Sequence, residues 1–302
     1  MNRKVFLMTI ALLCMVAQMA WAENVTFNVR SWNAEIKQVV TTTDTKDCTV
    51  LTGNHSDDWL AVSGWYVVKG DVRYQTLNCF GETHIILADG ATLTCTGGIK
   101  VETSHNNAKI FIYSQSDGAN EGRLVVTNGY KGAAGIGSSE GSNSGSISIH
   151  GGNLNITGGQ YAAGIGAGKC TEDVATIVQG GIYIYGGTIV AYGGDSGAGI
   201  GGGAGYHKFA EKNKGNIYLY GGTVTATGGE LAAGVGGGGG WDSFFANKHY
   251  DGGLGYDVDV YGGTLTAQGG HRGAGVGSGS FHDNYSSGGG TLTVYDGTIN
   301  AT

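Results

Sequence analysis

Two short motifs in this chain have the form that surrounds a catalytic serine. Residues 194–197 read Gly-Asp-Ser-Gly, but the corresponding positions elsewhere in the chain, 160–161, 230–231 and 271–272, hold unrelated residues. Residues 137–141 fit the G-x-S-x-G pattern. That pattern requires a sharp turn from a strand into a helix, and no helical pattern follows it here. We therefore predict no catalytic residue and no enzymatic activity from these motifs.

A third motif could bind a metal ion. Residues 252–257 begin like the calcium-binding nonapeptide G-G-x-G-x-D-x-U-x, but Asp259 stands where that motif requires a buried apolar residue. The motif also occurs once, whereas such calcium sites are built from adjacent repeats. An opportunistic calcium ion near Asp251, Asp257 and Asp259 stays open, and no other metal or cofactor is predicted.

The elements that carry these motifs repeat along the chain. Glycine pairs begin at Gly151, Gly186, Gly221 and Gly262, with separations of 35, 35 and 41 residues. An Ala-Gly motif follows each pair after 12 residues, so that all the variation in length comes after the Ala-Gly motif. A fixed segment with one variable loop per period is typical of a solenoid whose insertions emerge along one edge.

Each period contains three short alternating runs, for example residues 217–220, 223–227 and 232–235. Alternation turns one set of side chains inward, which predicts a core of Ile217, Leu219, Val224, Ala226, Ala233 and Val235. The chain has 60 glycines and no proline, which fits closely paired strands joined at glycine corners. We therefore predict an all-β chain that forms a right-handed parallel β-helix with three strands per coil.

Two columns of outward side chains follow from this alignment. They are Ser148, Tyr183, Tyr218, Asp259 and Thr293, and beside them His150, Tyr185, Tyr220, Tyr261 and Tyr295. One acid among ten positions is too few for acid–base catalysis. The second column, which Tyr113 precedes in register, predicts a stacked aromatic ladder that stiffens the sheet. The alternative is a flat aromatic face for a sugar polymer.

The variable loops after the Ala-Gly motifs are unusually rich in aromatic residues. The outward-facing residue of the third strand, which precedes each loop, is a glycine. The loops therefore emerge beside a strip that is almost without side chains. The loops either fold over this strip as a cover or line a ligand groove along it. The candidate ligand-binding residues are Tyr206, His207, Trp241, Asp242, Phe244, Tyr250, Phe281, His282 and Tyr285.

The N-terminus indicates export. A basic start, an apolar run over 5–19 and Ala-Trp-Ala at 20–22 predict a signal peptide over residues 1–22. No later apolar run is long enough to span a bilayer. Removal of Arg3 and Lys4 from the 17 basic residues leaves 15 against 24 acidic ones, a net charge of −9, which argues against nucleic acid as a partner.

The remaining chain divides into two predicted parts. Residues 23–63 contain a short alternating run and a polar loop, and we expect them to cap the open end of a β-helix that spans residues 64–302. Four cysteines remain after export, and they are either small buried residues or partners in bridges between neighbouring layers. They are Cys48, Cys79, Cys95 and Cys170.

The run over residues 65–72, the run over 84–101 and the AGIG and AGVG repeats resemble a family of secreted, glycine-rich, right-handed β-helix proteins of bacteria. The resemblance covers residues 49–302. Members are usually described as cell-surface, adhesin-like or carbohydrate-binding-domain proteins. The resemblance implies a surface binding module and supplies no catalytic residue.

Together these features predict an exported or cell-surface binding module that recognises glycans through its aromatic loops. Aromatic rings suit the apolar C–H face of a pyranose, while Asp, Asn and His pair with its hydroxyls. The alternative is a structural surface protein that displays its loops to a protein partner. A polysaccharide lyase or hydrolase is the third candidate.

The C-terminal residues 292–302 repeat the first two strands of a period and then stop. An open coil exposes unpaired backbone and apolar side chains. We expect either that the chain continues in a longer protein, or that a partner or a second copy covers this end. Analytical ultracentrifugation over a range of concentrations tests this, and a strictly monomeric species with slow amide exchange over 292–300 would contradict it.

Overall fold

The computed structural model describes residues 21–128, 130–171, 176–205, 215–240, 253, 255–280 and 289–302. Every regular element within these ranges is a β-strand, and the strands join into one sheet that winds around a single core. No helix in the described ranges has the length and apolarity that a membrane crossing needs.

The N-terminal strands are the longest and the later ones are short and repetitive. In chain order they are β1 Ala22–Asn33, β2 Gln38–Leu51, β3 Asn54–Val68, β4 Asp71–Leu87, β5 Thr92–Cys95, β6 Ile99–Lys100, β7 Lys109–Ser114, β8 Arg123–Thr127, β9 Ile136–Gly137, β10 Ser146–Ile149, β11 Asn153–Thr157, β12 Ile165–Gly166, β13 Ile182–Ile184, β14 Thr188–Tyr192, β15 Ile200–Gly201, β16 Asn216–Leu219, β17 Thr223–Thr227, β18 Val235–Gly236, β19 Asp257–Val260, β20 Thr264–Gln268, β21 Val276–Gly277, β22 Leu292–Val294 and β23 Thr298–Ala301.

In the repeated part of the helix each full coil contributes three strands, and each strand pairs in parallel with its copy in the next coil. Ile182 of β13 aligns with Ile217 of β16, Ile189 of β14 with Val224 of β17, and Ile200 of β15 with Val235 of β18. The chain thus winds as a right-handed parallel β-helix, which is the predicted fold. Because the register has no shift between these coils, identical positions stack on one another.

The predicted inward phase is confirmed. Ile217, Leu219, Val224, Ala226, Ala233 and Val235 are all buried. Their alternation with outward polar residues follows the two-residue period of a strand. The core is therefore a set of like-on-like columns of aliphatic side chains that runs the length of the helix.

The glycines of the third strand are explained by how closely the coils approach there. A Cβ atom on Gly199 would lie 2.7 Å from the carbonyl oxygen of Gly234, and one on Gly234 would lie 2.8 Å from that of Gly275. Both distances are shorter than a normal van der Waals contact, and the opposing atoms are backbone. The strip is bare because no side chain fits between these coils.

The segment 23–63 is divided between the first coil of the helix and a hairpin outside it. Strand β3, Asn54–Val68, forms the first coil, because it pairs along its length with β4. Residues 49–51 pair in parallel with residues 66–68 and lie on the open N-terminal end of that coil. The rest of β2 turns back with β1 as an antiparallel hairpin, residues 22–48, called the N-terminal hairpin below. The division of the chain into a cap and a helix at residue 64 stays a prediction.

The last coil is the most exposed part of the helix. Leu292 and Val294 occupy core positions by register, yet they are 45% and 49% exposed. Among the described residues, no strand pairs with the outer edge of β22 or β23. The expectation that this end is covered stays a prediction.

The four cysteines Cys48, Cys79, Cys95 and Cys170 are buried as free thiols. Cys79 and Cys95 point inward, in agreement with their phase in the sequence. Burial raises the pKa of the Cys79 thiol to about 12 and that of Cys48 to about 11, so both remain protonated at neutral pH.

The close approach of the coils predicts a sharp difference between two glycine substitutions. Gly234→Ala should lower the free energy of unfolding by at least about 1–3 kcal/mol, because the new Cβ meets backbone of the next coil. Gly289→Ala is the matched control, since a Cβ there meets nothing within 4 Å. Urea unfolding of both variants measures the difference. Equal stability would mean that the coils are farther apart than described.

Candidate functional site

All nine predicted ligand-binding residues lie outside the described residues: Tyr206, His207, Trp241, Asp242, Phe244, Tyr250, Phe281, His282 and Tyr285. The strands that precede their loops are described. β15, β18 and β21 stack in register, with Ile200, Val235 and Val276 aligned. The three loops therefore start from one edge of the helix, in consecutive coils.

The predicted calcium site is described only in part. Asp251 lies outside the described residues. The Asp257 carboxylate accepts hydrogen bonds from the Thr291 backbone N–H at 2.9 Å and from its hydroxyl at 2.7 Å. In the described part of the chain, no three His, Cys, Asp or Glu side chains come together as metal ligands. Calcium binding near Asp259 stays a prediction.

The tyrosine column forms a stacked ladder, as predicted. We call Tyr113, His150, Tyr185, Tyr220, Tyr261 and Tyr295 the aromatic ladder. Neighbouring ring centroids lie 4.5–4.9 Å apart, and the ring planes differ by 7–19°. The rings cover each other's faces, and Tyr113 and His150 are buried altogether, at 5% and 8% exposed. A sugar polymer therefore cannot stack along the faces, and Tyr295 alone in the ladder is largely exposed, at 63%.

A shorter aromatic column stands beside the ladder. The His84 ring stacks between Trp65 at 3.9 Å and Phe111 at 4.6 Å. Farther along the same outward column, Tyr183 stacks on Tyr218 at 5.0 Å. The in-register pairing of the first strands of each coil produces both columns, because it repeats the side-chain direction every coil.

The N-terminal hairpin packs on the outside of these columns, and its strands run along the helix axis. At the first coils, Phe27 is buried with its ring centroid 5.4 Å from Trp65 and 4.9 Å from Tyr113. Five residues later, the Trp32 ring lies 5.4 Å from Tyr220 and 5.1 Å from Tyr261. Five residues of strand span about 17 Å, which is close to the three coil spacings from Tyr113 to Tyr220.

Sequence reasoning missed this placement. The alternating run over 25–29 indicated a strand, and β1 contains it, but the run carries no information about what the strand packs against. The sequence feature that could have revealed it is the presence of two aromatic residues, Phe27 and Trp32, on a strand outside the repeats. Such rings need an apolar surface, and the outward ladder is the surface with matching spacing.

Arg30 ties the middle of the hairpin to the helix. Its guanidinium donates hydrogen bonds to the backbone carbonyl of His150 and to the carboxylate of Asp117. In return, the His150 ring donates from Nδ1 to the backbone carbonyl of Arg30 at 2.6 Å. Burial lowers the pKa of His150 to about 4, so the ring is neutral at physiological pH.

A cleft of about 530 Å³ lies between the hairpin and the helix. Its volume is within the range of about 300–1,000 Å³ that small-molecule clefts occupy. The hairpin contributes Arg30, Trp32, Lys37, Gln38, Val39 and Thr41 to its lining. The helix contributes the ladder rings Tyr185, Tyr220 and Tyr261, the glycine pairs 186–187, 221–222 and 262–263, and Asp296.

Four stretches of the chain match a family model described as a beta helix repeat: residues 147–169, 182–204, 217–239 and 258–280. These are β-helix repeats. Each one supplies one ladder ring, followed directly by a glycine pair, at equivalent positions. No curated protein and no solved structure is significantly similar to the chain. The N-terminal hairpin lies outside the matched residues, so the cleft joins a repeated surface to a segment that the repeat does not include.

The turn of the hairpin holds the cleft's polar residues in place. The side-chain oxygen of Asn33 accepts hydrogen bonds from the backbone N–H groups of Glu35 and Ile36 at 3.0 and 3.3 Å. Lys37 then adopts a left-handed backbone conformation with φ of 52°. This turn places Lys37 and Gln38 in the lining of the cleft.

The phenols of the cleft are neutral hydrogen-bonding groups. Burial raises the pKa of Tyr185, Tyr220 and Tyr261 above the usual range, and the neighbouring tyrosines raise it further. A neutral phenol donates and accepts hydrogen bonds. The cleft therefore offers aromatic surface, phenolic hydroxyls and a rim with both signs of charge.

The burial of His150 predicts a pH-dependent stability. The folded pKa of about 4 lies below the ordinary 6.5, so the unfolded chain binds more protons between these values. The free energy of unfolding should fall as pH is lowered from 6.5 to 4, with His150 contributing about 3 kcal/mol. In His150→Gln, this part of the dependence should disappear, as measured by urea unfolding at pH 7, 5.5 and 4.5.

The matched control is His271→Gln, at an exposed turn position. Some pH dependence should persist in His150→Gln, because burial also lowers the pKa of His84 to about 4. An unchanged pH dependence in His150→Gln would contradict the burial of a neutral ring at this position.

Proposed function

We propose that this chain is an exported β-helix protein of the cell surface that binds glycans through the aromatic loops after β15, β18 and β21. The signal-peptide pattern over residues 1–22 supports export, and the net charge of −9 after its removal disfavours nucleic acid as a partner. Recognition uses the loop residues Tyr206, Trp241 and Phe281 with polar neighbours such as His207 and Asp242.

The observation that carries this proposal is the register of the third strands. Ile200, Val235 and Val276 stack directly on one another, so the three aromatic-rich segments begin at one edge in consecutive coils. Strands stacked in a sheet are about 4.8 Å apart. Loops that start at this spacing from one edge suit an extended polymer, because its successive units meet successive loops.

A second candidate function is a structural surface protein that presents its loops to a protein partner. The stacking of the ladder favours it, because rings that stack on each other have no free faces for a sugar polymer. A polysaccharide lyase or hydrolase remains the third candidate, and an assay for released reducing ends or unsaturated products tests it.

Trp241→Ala tests the glycan proposal, since Trp241 lies in the longest loop. The purified protein is screened on a glycan array, and affinities for the glycans it binds are measured by calorimetry. We expect Trp241→Ala to weaken binding by at least about tenfold, because a lost aromatic anchor removes both contact area and orientation. Trp59→Ala is the matched control, a 66% exposed tryptophan on the first coil.

Three outcomes decide between the candidate functions. Weakened binding in Trp241→Ala with the fold retained supports the glycan proposal. An unchanged affinity for every glycan contradicts the role of the loops. Failure of the parent protein to bind any glycan on the array favours the protein-partner alternative.

A further inference from the structure

The cleft between the N-terminal hairpin and the aromatic ladder has the features of a ligand site, and it does not depend on the loops. We propose that it is a second saccharide-binding site, which takes a short neutral oligosaccharide laid along the helix axis. The argument rests on the lining of the cleft, on its charge and on how it is held open.

The glycine pairs leave the helix side of the cleft without projecting side chains. Gly186, Gly221 and Gly262 occupy equivalent positions in three successive repeats, and all three line the cleft. In the last coil the equivalent residue is Asp296, which also lines it. The lining is thus bare backbone along three coils and ends at a carboxylate. A Cβ on Gly186 would lie 2.7 Å from the Arg30 side chain, so Arg30 covers the backbone there, and a ligand can approach the backbone only nearer the last repeats, at Gly221 and Gly262.

The aromatic residues supply the apolar contact that a sugar ring needs. Trp32 is tilted by 33° and 48° to the planes of Tyr220 and Tyr261, so it does not continue the face-to-face stack. The indole therefore contacts both rings at an angle, and it lines the cleft beside them. The tyrosines that line the cleft carry hydroxyl groups, which can pair with sugar hydroxyls while the indole meets C–H groups.

The charges of the cleft balance, which favours a neutral ligand. Arg30 is neutralised by Asp117, and only 12% of its side chain is exposed. The remaining charged groups are Lys37 at the hairpin turn and Asp296 on the last coil, which have opposite signs. A polyanion such as a uronate polymer would meet one cation and one carboxylate, with no net attraction. Gln38 and Thr41 add neutral hydrogen-bonding groups.

The cleft is held open by the contacts that anchor the hairpin. Phe27 is fully buried at one end, Arg30 binds the His150 carbonyl in the middle, and Trp32 contacts the ladder near the turn. Since these contacts fix the hairpin without any ligand, binding requires little ordering of the protein. Preorganisation of this kind increases affinity at a given contact area.

The test uses two variants of the cleft. Trp32→Ala removes the indole. Lys37→Asn with Gln38→Ala removes the Lys37 ammonium group and the Gln38 amide. Asparagine is chosen because it tolerates the left-handed backbone at residue 37. The second variant leaves the aromatic packing intact, so it reports on binding even if Trp32→Ala loosens the hairpin. The control is Trp59→Ala, on the first coil. Trp241→Ala, in the loops, is measured beside it to separate binding by the loops from binding by the cleft.

The probes are the hexasaccharides of cellulose, xylan, mannan, amylose and chitin, with oligogalacturonate as the anionic comparison, each titrated by calorimetry. We expect at least one neutral probe to bind, with affinity lowered about tenfold or more by Trp32→Ala and severalfold by the double variant. Trp59→Ala should bind this probe as the parent does.

The proposal is overturned if no neutral probe binds, if both cleft variants bind as the parent does, or if oligogalacturonate is preferred. Loss of binding in Trp241→Ala but not in the cleft variants assigns the sugar to the loops and rejects the cleft. Because the loop and cleft variants differ, failure of this proposal is distinguishable from failure of the loop proposal.

Discussion

The in-register pairing of each coil with the next is the constraint on which the rest of the structure depends. Parallel backbone hydrogen bonds fix each residue above its counterpart, as in the alignment of Tyr183 with Tyr218 between β13 and β16. Every side-chain type is therefore repeated along a column: aliphatic inside, aromatic on one face and none on the glycine strip. The same register places the start of the loops at one edge. One set of backbone hydrogen bonds therefore determines both the aromatic ladder and the edge that carries the loops.

The close approach of the coils at the third strand is possible only with glycine, because a Cβ atom would overlap backbone of the next coil. Between Gly199 and Gly234 the backbones come so near that a Cβ would overlap a carbonyl oxygen. The variation in length between the repeats falls after this strand, where the loops leave the stack. The uniformity of the glycine strip is a consequence of the close packing of the coils.

The repeated part of the fold could be predicted from the sequence, since the spacing of Gly151, Gly186 and Gly221 reports the coil period directly. The ladder followed from the same alignment, because a residue's position in the period sets its direction. The N-terminal hairpin could not be predicted in this way. Its contacts, such as Trp32 with Tyr261, join a segment outside the repeats to distant coils. No local pattern encodes such a contact, and the cleft it forms was missed with it.

The contact between Trp32 and the ladder joins the hairpin, the stacked coils and the cleft, and it can be measured directly. Selective labelling of tryptophan and tyrosine rings allows nuclear Overhauser effects to be recorded between them in the intact protein. The account predicts cross-peaks from the Trp32 ring to the rings of both Tyr220 and Tyr261, whose centroids lie 5.4 and 5.1 Å away. Absence of both cross-peaks, with the Phe27 contacts to Trp65 and Tyr113 retained, would mean that the hairpin leaves the helix after the first coils and that the cleft does not exist.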